Sequence, residues 1–258
     1  MDPEQYLVNS KNVNKQDLAE IQRIHAPNIF EKFSYLVGPS VFKTISKSAW
    51  ILQLLSYIGE IANFLIWQKK TFGTLNIFVS KRRLYLSIVS KLKYTPEFEI
   101  FEFGVAHGHT THLLIHEFQK QGIKFKRYIG FDTFTGLEQD FRNFPKGSFD
   151  NLGKFPNLSA DNLFWSKGLV QNTVPKTKFA LTSRKLWIFD LDLYDATYST
   201  VVNVLPIMQP EDIIYFDEAF DPNEFKIVTE IILKTFDCLY IGTNGQALAL
   251  EVKGKLNG

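Results

Sequence analysis

The chain is short of cysteine and of net charge, and each shortage excludes a class of protein. One cysteine among 258 residues, Cys238, rules out an internal disulfide and a cysteine-rich zinc module. Lysine and arginine (29) nearly balance aspartate and glutamate (27), and a net charge of +2 gives no reason to expect a nucleic-acid or anionic-membrane partner. With 45% hydrophobic and 22% charged residues, the composition is that of a globular chain rather than a disordered one.

A long uninterrupted apolar run is also missing. The most apolar stretch, residues 49–67, contains Glu60, so a membrane span would have to bury a carboxylate, and a buried or interface helix is expected instead. The first residues are acidic and show no basic segment before an apolar core, so we expect no secretory signal. Together with the single cysteine, these absences predict a cytoplasmic protein.

The apolar patterns that are present predict a helical N-terminal extension over residues 1–95 and an α/β domain over residues 96–258. A strand at 99–103, a helix at 110–121 and a strand at 127–131 make a βαβ unit. Alternation of strands and helices continues to the end and predicts a doubly wound, mostly parallel, seven-stranded sheet. The remaining strands are expected at 162–165, 186–190, 212–216, 237–242 and 246–252.

The first strand of this unit ends in a turn that suits a ligand. Glu102, Gly104, Gly108 and Thr110 follow one another across the strand end and into the next helix. Glycines let a ligand approach the backbone, and the start of a helix presents free N–H groups. The dinucleotide pattern Gly-x-Gly-x-x-Gly is absent. An acidic residue before the first glycine suits a ligand with a cationic group, such as an amino acid or a sulfonium, and an ordinary strand–helix turn is the alternative.

Further acidic residues follow the ends of other strands. Asp132 ends the second strand, where a ribose diol would be held, and Asp190 and Asp217-Glu218 end two later strands. Carboxylates that converge on one sheet edge repel one another and raise one another's pKa values. A divalent cation, Mg²⁺ or Mn²⁺, would relieve that repulsion. Asp192 either joins this group or caps the following helix.

Several segments together carry a family resemblance. Residues 102–110 and 131–137 resemble the class I S-adenosylmethionine-dependent methyltransferases, and more narrowly the macrocin O-methyltransferase (TylF-like) family. Residues 189–197 are similar to that family's Asp-x-Asp-x-Tyr-x-x-Thr signature, and residues 215–218 to its second acidic pair. The resemblance covers about residues 80–250. It implies a Rossmann-like methyltransferase fold, S-adenosyl-L-methionine as cofactor, and methylation of a hydroxyl on a small molecule, with a sugar or glycosylated metabolite as the leading acceptor.

The resemblance also implies how the cofactor is held. Glu102 and the glycine turn would bind its methionine part, Asp132 its ribose hydroxyls, and Trp165 with Ser166 would lie near adenine. Trp165 is equally well explained as a core aromatic residue. The cofactor-binding set implied in this way is Glu102, Gly104, His107, Gly108, Thr110, Asp132, Thr133, Trp165 and Ser166.

For the second half of the site, the resemblance implies metal ligands and a base. Asp190, Asp217 and Glu218 would bind Mg²⁺ or Mn²⁺, and Asp190 would also act as the catalytic base. Glu218 departs from the Asp or Asn that is usual at its position, and its longer side chain puts its role as a ligand in doubt.

The histidines form a competing cluster. His112 and His116 are four residues apart on one helix face, a spacing that can bind a transition metal. Leu113 follows the first of them, so the His-Glu-x-x-His protease motif is absent, and a structural or surface role is expected.

Two other functions stay open. An NAD-dependent oxidoreductase would need the missing dinucleotide pattern, and a non-catalytic subunit of the same fold would have no need of the acidic residues. The balanced charge favours a small-molecule partner over nucleic acid. A homodimer formed through the N-terminal helices is expected from their apolar surface.

Overall fold

A computed structural model of the chain describes residues 49–256, and the predictions that concern residues 1–48 lie outside them. The chain divides into two compact units after Ile58. Of the first unit, the described part is the opening of helix α1 (Ala49–Phe72). No helix within residues 49–256 is both long enough and apolar enough to span a membrane. The predicted cytoplasmic location and N-terminal dimer interface stay predictions.

The second unit begins at Gly59 and holds a seven-stranded sheet with its helices. The strands are β1 (Phe98–Phe103), β2 (Arg127–Asp132), β3 (Leu163–Lys167), β4 (Arg184–Phe189), β5 (Ile213–Phe216), β6 (Phe236–Thr243) and β7 (Leu248–Lys255). The helices after α1 are α2 (Lys81–Leu92), α3 (His109–Gln121), α4 (Val170–Thr173), α5 (Tyr194–Val204), α6 (Pro222–Ile227) and α7 (Leu233–Thr235). A π-helical turn, Val228–Ile232, joins the last two.

The strand order confirms the predicted doubly wound, mostly parallel sheet. Across the sheet the order is β3-β2-β1-β4-β5-β7-β6. Strand β7 lies between β5 and β6 and runs antiparallel to both. The chain moves in one direction from β1 to β2 and in the opposite direction from β4 to β5. Right-handed crossovers therefore place α3 and α5 on opposite faces of the sheet. The reversal between β1 and β4 opens a crevice at their carboxyl ends, where sheets of this type bind ligands.

One face of the sheet is covered by α2 and α3. Leu84, Ile88 and Leu92 of α2 are fully buried in one core cluster with sheet residues such as Ile100 and Ile188. This helix precedes the domain boundary predicted at residue 95, yet it shares the core of the sheet. The boundary itself stays a prediction.

The opposite face carries a row of stacked phenylalanines that we call the aromatic ladder: Phe131, Phe103, Phe189 and Phe216. These residues are direct neighbours across β2, β1, β4 and β5. Their ring centroids are 5.0, 5.2 and 4.9 Å apart, and all four side chains are fully buried. The ladder lies at the carboxyl ends of the strands and therefore forms the floor beneath the crevice.

The second half of α1 packs onto the end of the sheet unit. The Phe64 and Trp67 rings meet Phe225 of α6 edge-on, at centroid distances of 6.2 and 4.9 Å. Phe72 stacks on Tyr240 of β6 at 4.8 Å. Gly73 follows the helix with a positive φ of 69°, a conformation typical of the residue that ends a helix.

The aromatic ladder yields a prediction about stability. Phe103→Ala removes a fully buried ring with neighbours on both sides, and we expect it to lower the free energy of unfolding by about 3–5 kcal/mol. Phe164→Ala is the matched control, because that ring lies on outer strand β3 and is 53% exposed; it should cost less than about 1 kcal/mol. Urea unfolding measures both values, and equal losses would show that the ladder is not a main part of the core.

Candidate active site

A cavity of about 330 Å³ lies at the carboxyl ends of the central strands. Four strands each bring an acidic residue to its wall: Glu102 from β1, Asp132 from β2, Asp190 after β4 and Asp217 after β5. Such convergence is expected of residues at the carboxyl ends of parallel strands. The residues of the predicted site that line the cavity are Glu102, Gly104, Thr110, Asp132, Thr133, Asp190, Asp217 and Glu218.

The glycine turn brings the ends of β1 and β4 together. Gly104 has a positive φ of 89°, and a Cβ atom added to it would lie 1.7 Å from the backbone oxygen of Asp190. The Asp190 N–H donates to the Phe103 carbonyl at 2.8 Å, and the Gly104 N–H donates to the Phe131 carbonyl at 2.9 Å. Glycine is required here because any side chain would overlap the neighbouring backbone. This contact holds Asp190 beside the turn.

Asp132 shapes the turn from the next strand. One of its carboxylate oxygens accepts the N–H groups of Val105 and Ala106, both at 2.8 Å, and the other accepts the Phe134 N–H at 2.5 Å. Ala106 has a positive φ of 47°, a conformation that such hydrogen bonds help to hold. The carboxylate is therefore part of the turn as well as of the cavity wall. Its predicted contact with ribose stays a prediction.

Glu102 is a buried carboxyl with two hydroxyl partners. Its Oε2 accepts hydrogen bonds from Thr111 and Tyr128, both at 2.5 Å. Burial raises the pKa of Glu102 to about 7, although both hydrogen bonds favour the ionised form. Near neutral pH this group is therefore poised between its two forms, and a cationic ligand at the cavity wall would favour the ionised one.

One side of the cavity, which we call the acidic wall, is formed by Asp190, Asp192, Asp217 and Glu218. Burial, reinforced by the charges of Asp217 and Asp192, raises the pKa of Asp190 well above its ordinary value. Burial and the charges of Glu218 and Asp217 raise the pKa of Asp192 to about 7. Asp192 does not cap α5: that helix begins at Tyr194 behind Leu193 and lacks a side-chain cap. It joins the acidic group instead.

Two cationic side chains reach the acidic wall. Lys81 of α2 donates a hydrogen bond from Nζ to Oδ2 of Asp217, while the Tyr215 hydroxyl donates to Oδ1 of the same residue at 2.9 Å. Arg142, from the irregular segment between β2 and β3, pairs with Asp221 at 2.7 Å and lies 3.7 Å from Glu218. Nothing in the local sequence indicates either contact, because each cation is more than 70 residues from its partner.

The acidic wall does not fit a divalent ion as it stands. Within residues 49–256, no three or more His, Cys, Asp or Glu side chains are grouped so that they could hold a metal ion. Both oxygens of Asp217 already accept hydrogen bonds from Lys81 and Tyr215. The predicted ligands Asp190, Asp217 and Glu218 thus share a wall without forming a metal site. His112 and His116 stack on each other at 6.4 Å and likewise belong to no such group.

Some predicted cofactor residues lie away from the cavity lining. Trp165 is half-buried, packs on Gly130 and meets the Phe134 ring edge-on at 6.0 Å. His107 is exposed, with Nδ1 3.4 Å from the Asn151 side-chain oxygen. Ser166 and Gly108 are also outside the set that lines the cavity. Contacts between these residues and a cofactor stay predictions.

The apolar part of the cavity is not foreseen by the sequence. Most of it comes from the segments that follow β2, β3 and β4 rather than from the strands themselves. Among the residues that supply it are Leu137, Phe144, Phe149, Leu169, Leu191 and Leu193. Only their position directly after predicted strand ends indicates a place near the site.

Comparison with known proteins identifies the fold. No family model and no curated protein sequence matches the chain. The solved structure of CalS11, described as a calicheamicin methyltransferase, matches at 17% identity over 97% of this chain and 96% of that one, with a TM-score of 0.50. The O-methyltransferase NovP matches at 14% identity over 67% and 77%, with a TM-score of 0.47. The N-methyltransferase NodS from Bradyrhizobium japonicum WM9 matches at 14% identity over 78% and 97%, with a TM-score of 0.40.

The likeness to CalS11 concerns the fold. The protein thus has the Rossmann-like fold of the class I S-adenosylmethionine-dependent methyltransferases. Its cavity lies at the carboxyl ends of the same strands that carry the predicted motifs.

The turn at Gly104 can be tested by adding one methyl group. Gly104→Ala places a carbon inside the backbone of Asp190, so we expect either no folded protein or a loss of more than about 3 kcal/mol in the free energy of unfolding. Gly254→Ala is the control, since an added Cβ there meets no atom of residues 49–256 within 4 Å. Expression yield and urea unfolding compare the two, and a folded Gly104→Ala of normal stability would contradict the close approach of β1 and β4.

The pKa of Glu102 predicts a pH dependence of stability. The folded protein binds a proton at Glu102 up to about pH 7, whereas the unfolded chain releases it near the ordinary value of 4.5, so the carboxyl destabilises the fold increasingly as pH rises between these values. Glu102→Gln carries no such charge. Relative to wild type, its free energy of unfolding should therefore rise by about 2 kcal/mol between pH 5 and pH 8.

Urea unfolding of the ligand-free protein at both pH values measures this difference. The exposed Glu230→Gln is the control, and as a surface substitution it should change the free energy of unfolding by less than about 0.5 kcal/mol. If the free energies of unfolding of Glu102→Gln and wild type differed by the same amount at both pH values, the buried carboxyl would be ionised at both.

Proposed function

We propose that the protein is an S-adenosylmethionine-dependent O-methyltransferase that acts on a hydroxyl of a small molecule. The observation that carries the proposal is the cavity at the switch between β1 and β4, where the glycine turn, Glu102, Asp132 and Asp190 meet. These residues belong to the motifs that resemble the class I methyltransferases. The fold shared with CalS11 supports the same activity.

The residues of the cavity fit the chemical groups of the cofactor. Glu102 offers a buried carboxyl to the cationic amino group, and its pKa near 7 allows it to ionise when that group binds. His109 and Thr110 begin helix α3 at the cavity wall, where free N–H groups suit a carboxylate. Asp132 and Thr133 lie on the wall at the end of β2, where ribose hydroxyls are held in sheets of this type. When bound, S-adenosylmethionine supplies an electrophilic methyl group on a sulfonium centre and leaves as the neutral thioether.

Asp190 is the candidate base in this reaction. It lies at the wall beside the glycine turn, so an acceptor hydroxyl near the cofactor's methyl group would be within its reach. In this role Asp190 would receive the proton of the acceptor hydroxyl as that oxygen becomes methylated. Holding both reactants in line is the main contribution of such a site, and proton removal adds to it.

The acceptor class proposed is a sugar or glycosylated metabolite. The resemblance to the macrocin O-methyltransferases supports it, and so does the description of CalS11 as a calicheamicin methyltransferase. Phe144 and Phe149 line the cavity with their ring centroids 4.9 Å apart. Such rings offer large apolar faces on which the C–H face of a sugar ring can pack.

Binding of S-adenosylhomocysteine tests the cofactor assignment. We expect calorimetry to give a Kd below about 1 mM for S-adenosylhomocysteine and no measurable heat with NADH. The cavity residues present an ammonium partner and lack the dinucleotide turn, so the two ligands should separate clearly. Binding of NADH without S-adenosylhomocysteine would favour the oxidoreductase, and binding of neither would contradict the proposal.

Asp190→Asn tests the base. The variant should bind S-adenosylhomocysteine with unchanged affinity but transfer labelled methyl groups to a panel of glycosides at least about a hundredfold more slowly. Wild-type transfer to these acceptors is the reference. If Asp190→Asn transfers methyl groups as fast as wild type, Asp190 is not the base.

A further inference from the structure

The acidic wall contains contacts with cationic side chains that the proposed function does not use. Four carboxyl groups gather there, yet two of them already face a positive charge from the chain itself. Lys81 pairs with Asp217, and Arg142 approaches Glu218 while pairing with Asp221. The two residues with cationic partners are the adjacent pair that a metal-dependent site would use.

Helix α2 holds Lys81 in place. Lys81 is the first residue of that helix, behind Ser80, whose hydroxyl accepts the Arg83 N–H at 3.3 Å and caps the helix. Tyr85, one turn later, stacks on Tyr215 at a centroid distance of 4.3 Å. Tyr215 in turn donates to Asp217. The same helix therefore fixes both the ammonium group and the hydroxyl that bind the two oxygens of Asp217.

The position of the ammonium group conflicts with a divalent ion at Asp217. The Lys81 side chain is 33% exposed and that of Asp217 is 12% exposed, so their attraction is only partly screened by water. An ion of charge +2 bound to Asp217 would lie beside the ammonium group and be repelled by it. To admit the ion, Lys81 would have to leave its partner and turn into solvent.

Glu218 also lies beside a cationic side chain. Among residues 49–256 its Oε2 is buried without a hydrogen-bond partner, and it lies 3.7 Å from Arg142, a distance that a hydrogen bond cannot span. Arg142 is held elsewhere, by Asp221 at 2.7 Å and by the Phe220 ring at 4.5 Å. The charge of Glu218 is thus balanced by a fixed guanidinium group from the segment after β2.

We propose that Lys81, assisted by Arg142, supplies the positive charge at the acidic wall, and that the protein works without a divalent metal. The inference rests on the proposed methyl transfer. Lys81 is a positioning residue: it holds Asp217 as a neutralised pair. Asp190 and Asp192 lie outside that pair, and Asp190, beside the glycine turn, receives the acceptor's proton. The longer Glu218 in place of Asp or Asn agrees with this arrangement, because it pairs with an arginine rather than with a metal.

Titration with Mn²⁺ alone tests the inference without any activity assay. We expect no Mn²⁺ bound to the wild-type protein below about 1 mM, by electron paramagnetic resonance or calorimetry. Lys81→Gln removes the ammonium group and should bind Mn²⁺ at least about tenfold more tightly than wild type. Lys81→Arg keeps the charge and should behave as wild type, and Arg83→Gln, on the exposed side of the same turn, is the matched control.

The outcomes separate this inference from the proposed function. Mn²⁺ binding to wild type below about 1 mM, or the same weak binding to Lys81→Gln as to wild type, would overturn it. Methyl transfer that is lost on chelation and restored by Mg²⁺ would overturn it as well. Transfer that persists after chelation, falls in Lys81→Gln and returns in Lys81→Arg would support it. S-adenosylhomocysteine binding is measured on the same preparations, and its absence would count against the methyltransferase alone.

Discussion

The ends of β1 and β4 meet without room for one extra carbon atom, and the rest of the site depends on that contact. Gly104 lies against the carbonyl of Asp190, and the backbone hydrogen bond from Asp190 to Phe103 completes the junction. Because the chain leaves these two strands in opposite directions, the junction is also where the crevice opens. The glycine turn after β1 and Asp190 after β4 are therefore neighbours, because these two strands are adjacent in the sheet.

Much of this arrangement follows from local sequence. A residue at the end of a buried strand lies at the edge where the other parallel strands end, so Glu102, Asp132, Asp190 and Asp217 could be placed from the strand pattern. Gly104 could be placed for the same reason. The seven strands were predicted within a few residues of their observed bounds, since short apolar runs bounded by turn residues are typical of a buried parallel sheet.

The remainder depends on contacts between distant parts of the chain. Lys81 and Arg142 are ordinary surface cations in the sequence, and only the packing of α2 and of the segment after β2 brings them to the acidic wall. Trp165 lies on β3, and the apolar pattern of that strand does not show which of its side chains face the cavity. In the structure Trp165 packs on Gly130. The π-helical turn after α6 has no signature in the apolar pattern, which continues through it. Buried charge is costly unless it is paired, so an acidic wall of this kind requires cations from somewhere.

The alternation of side chains along each strand separates the aromatic ladder from the ligand-facing acids. On β1 the ring of Phe103 faces one side of the sheet, and the carboxyl of Glu102, one residue earlier, faces the other. A substitution among the acids or in the loops beyond the strand ends leaves the stacked rings and their burial intact. The floor of the cavity and the charge at its wall can therefore be altered independently, because replacing an acidic residue removes no ring from the ladder.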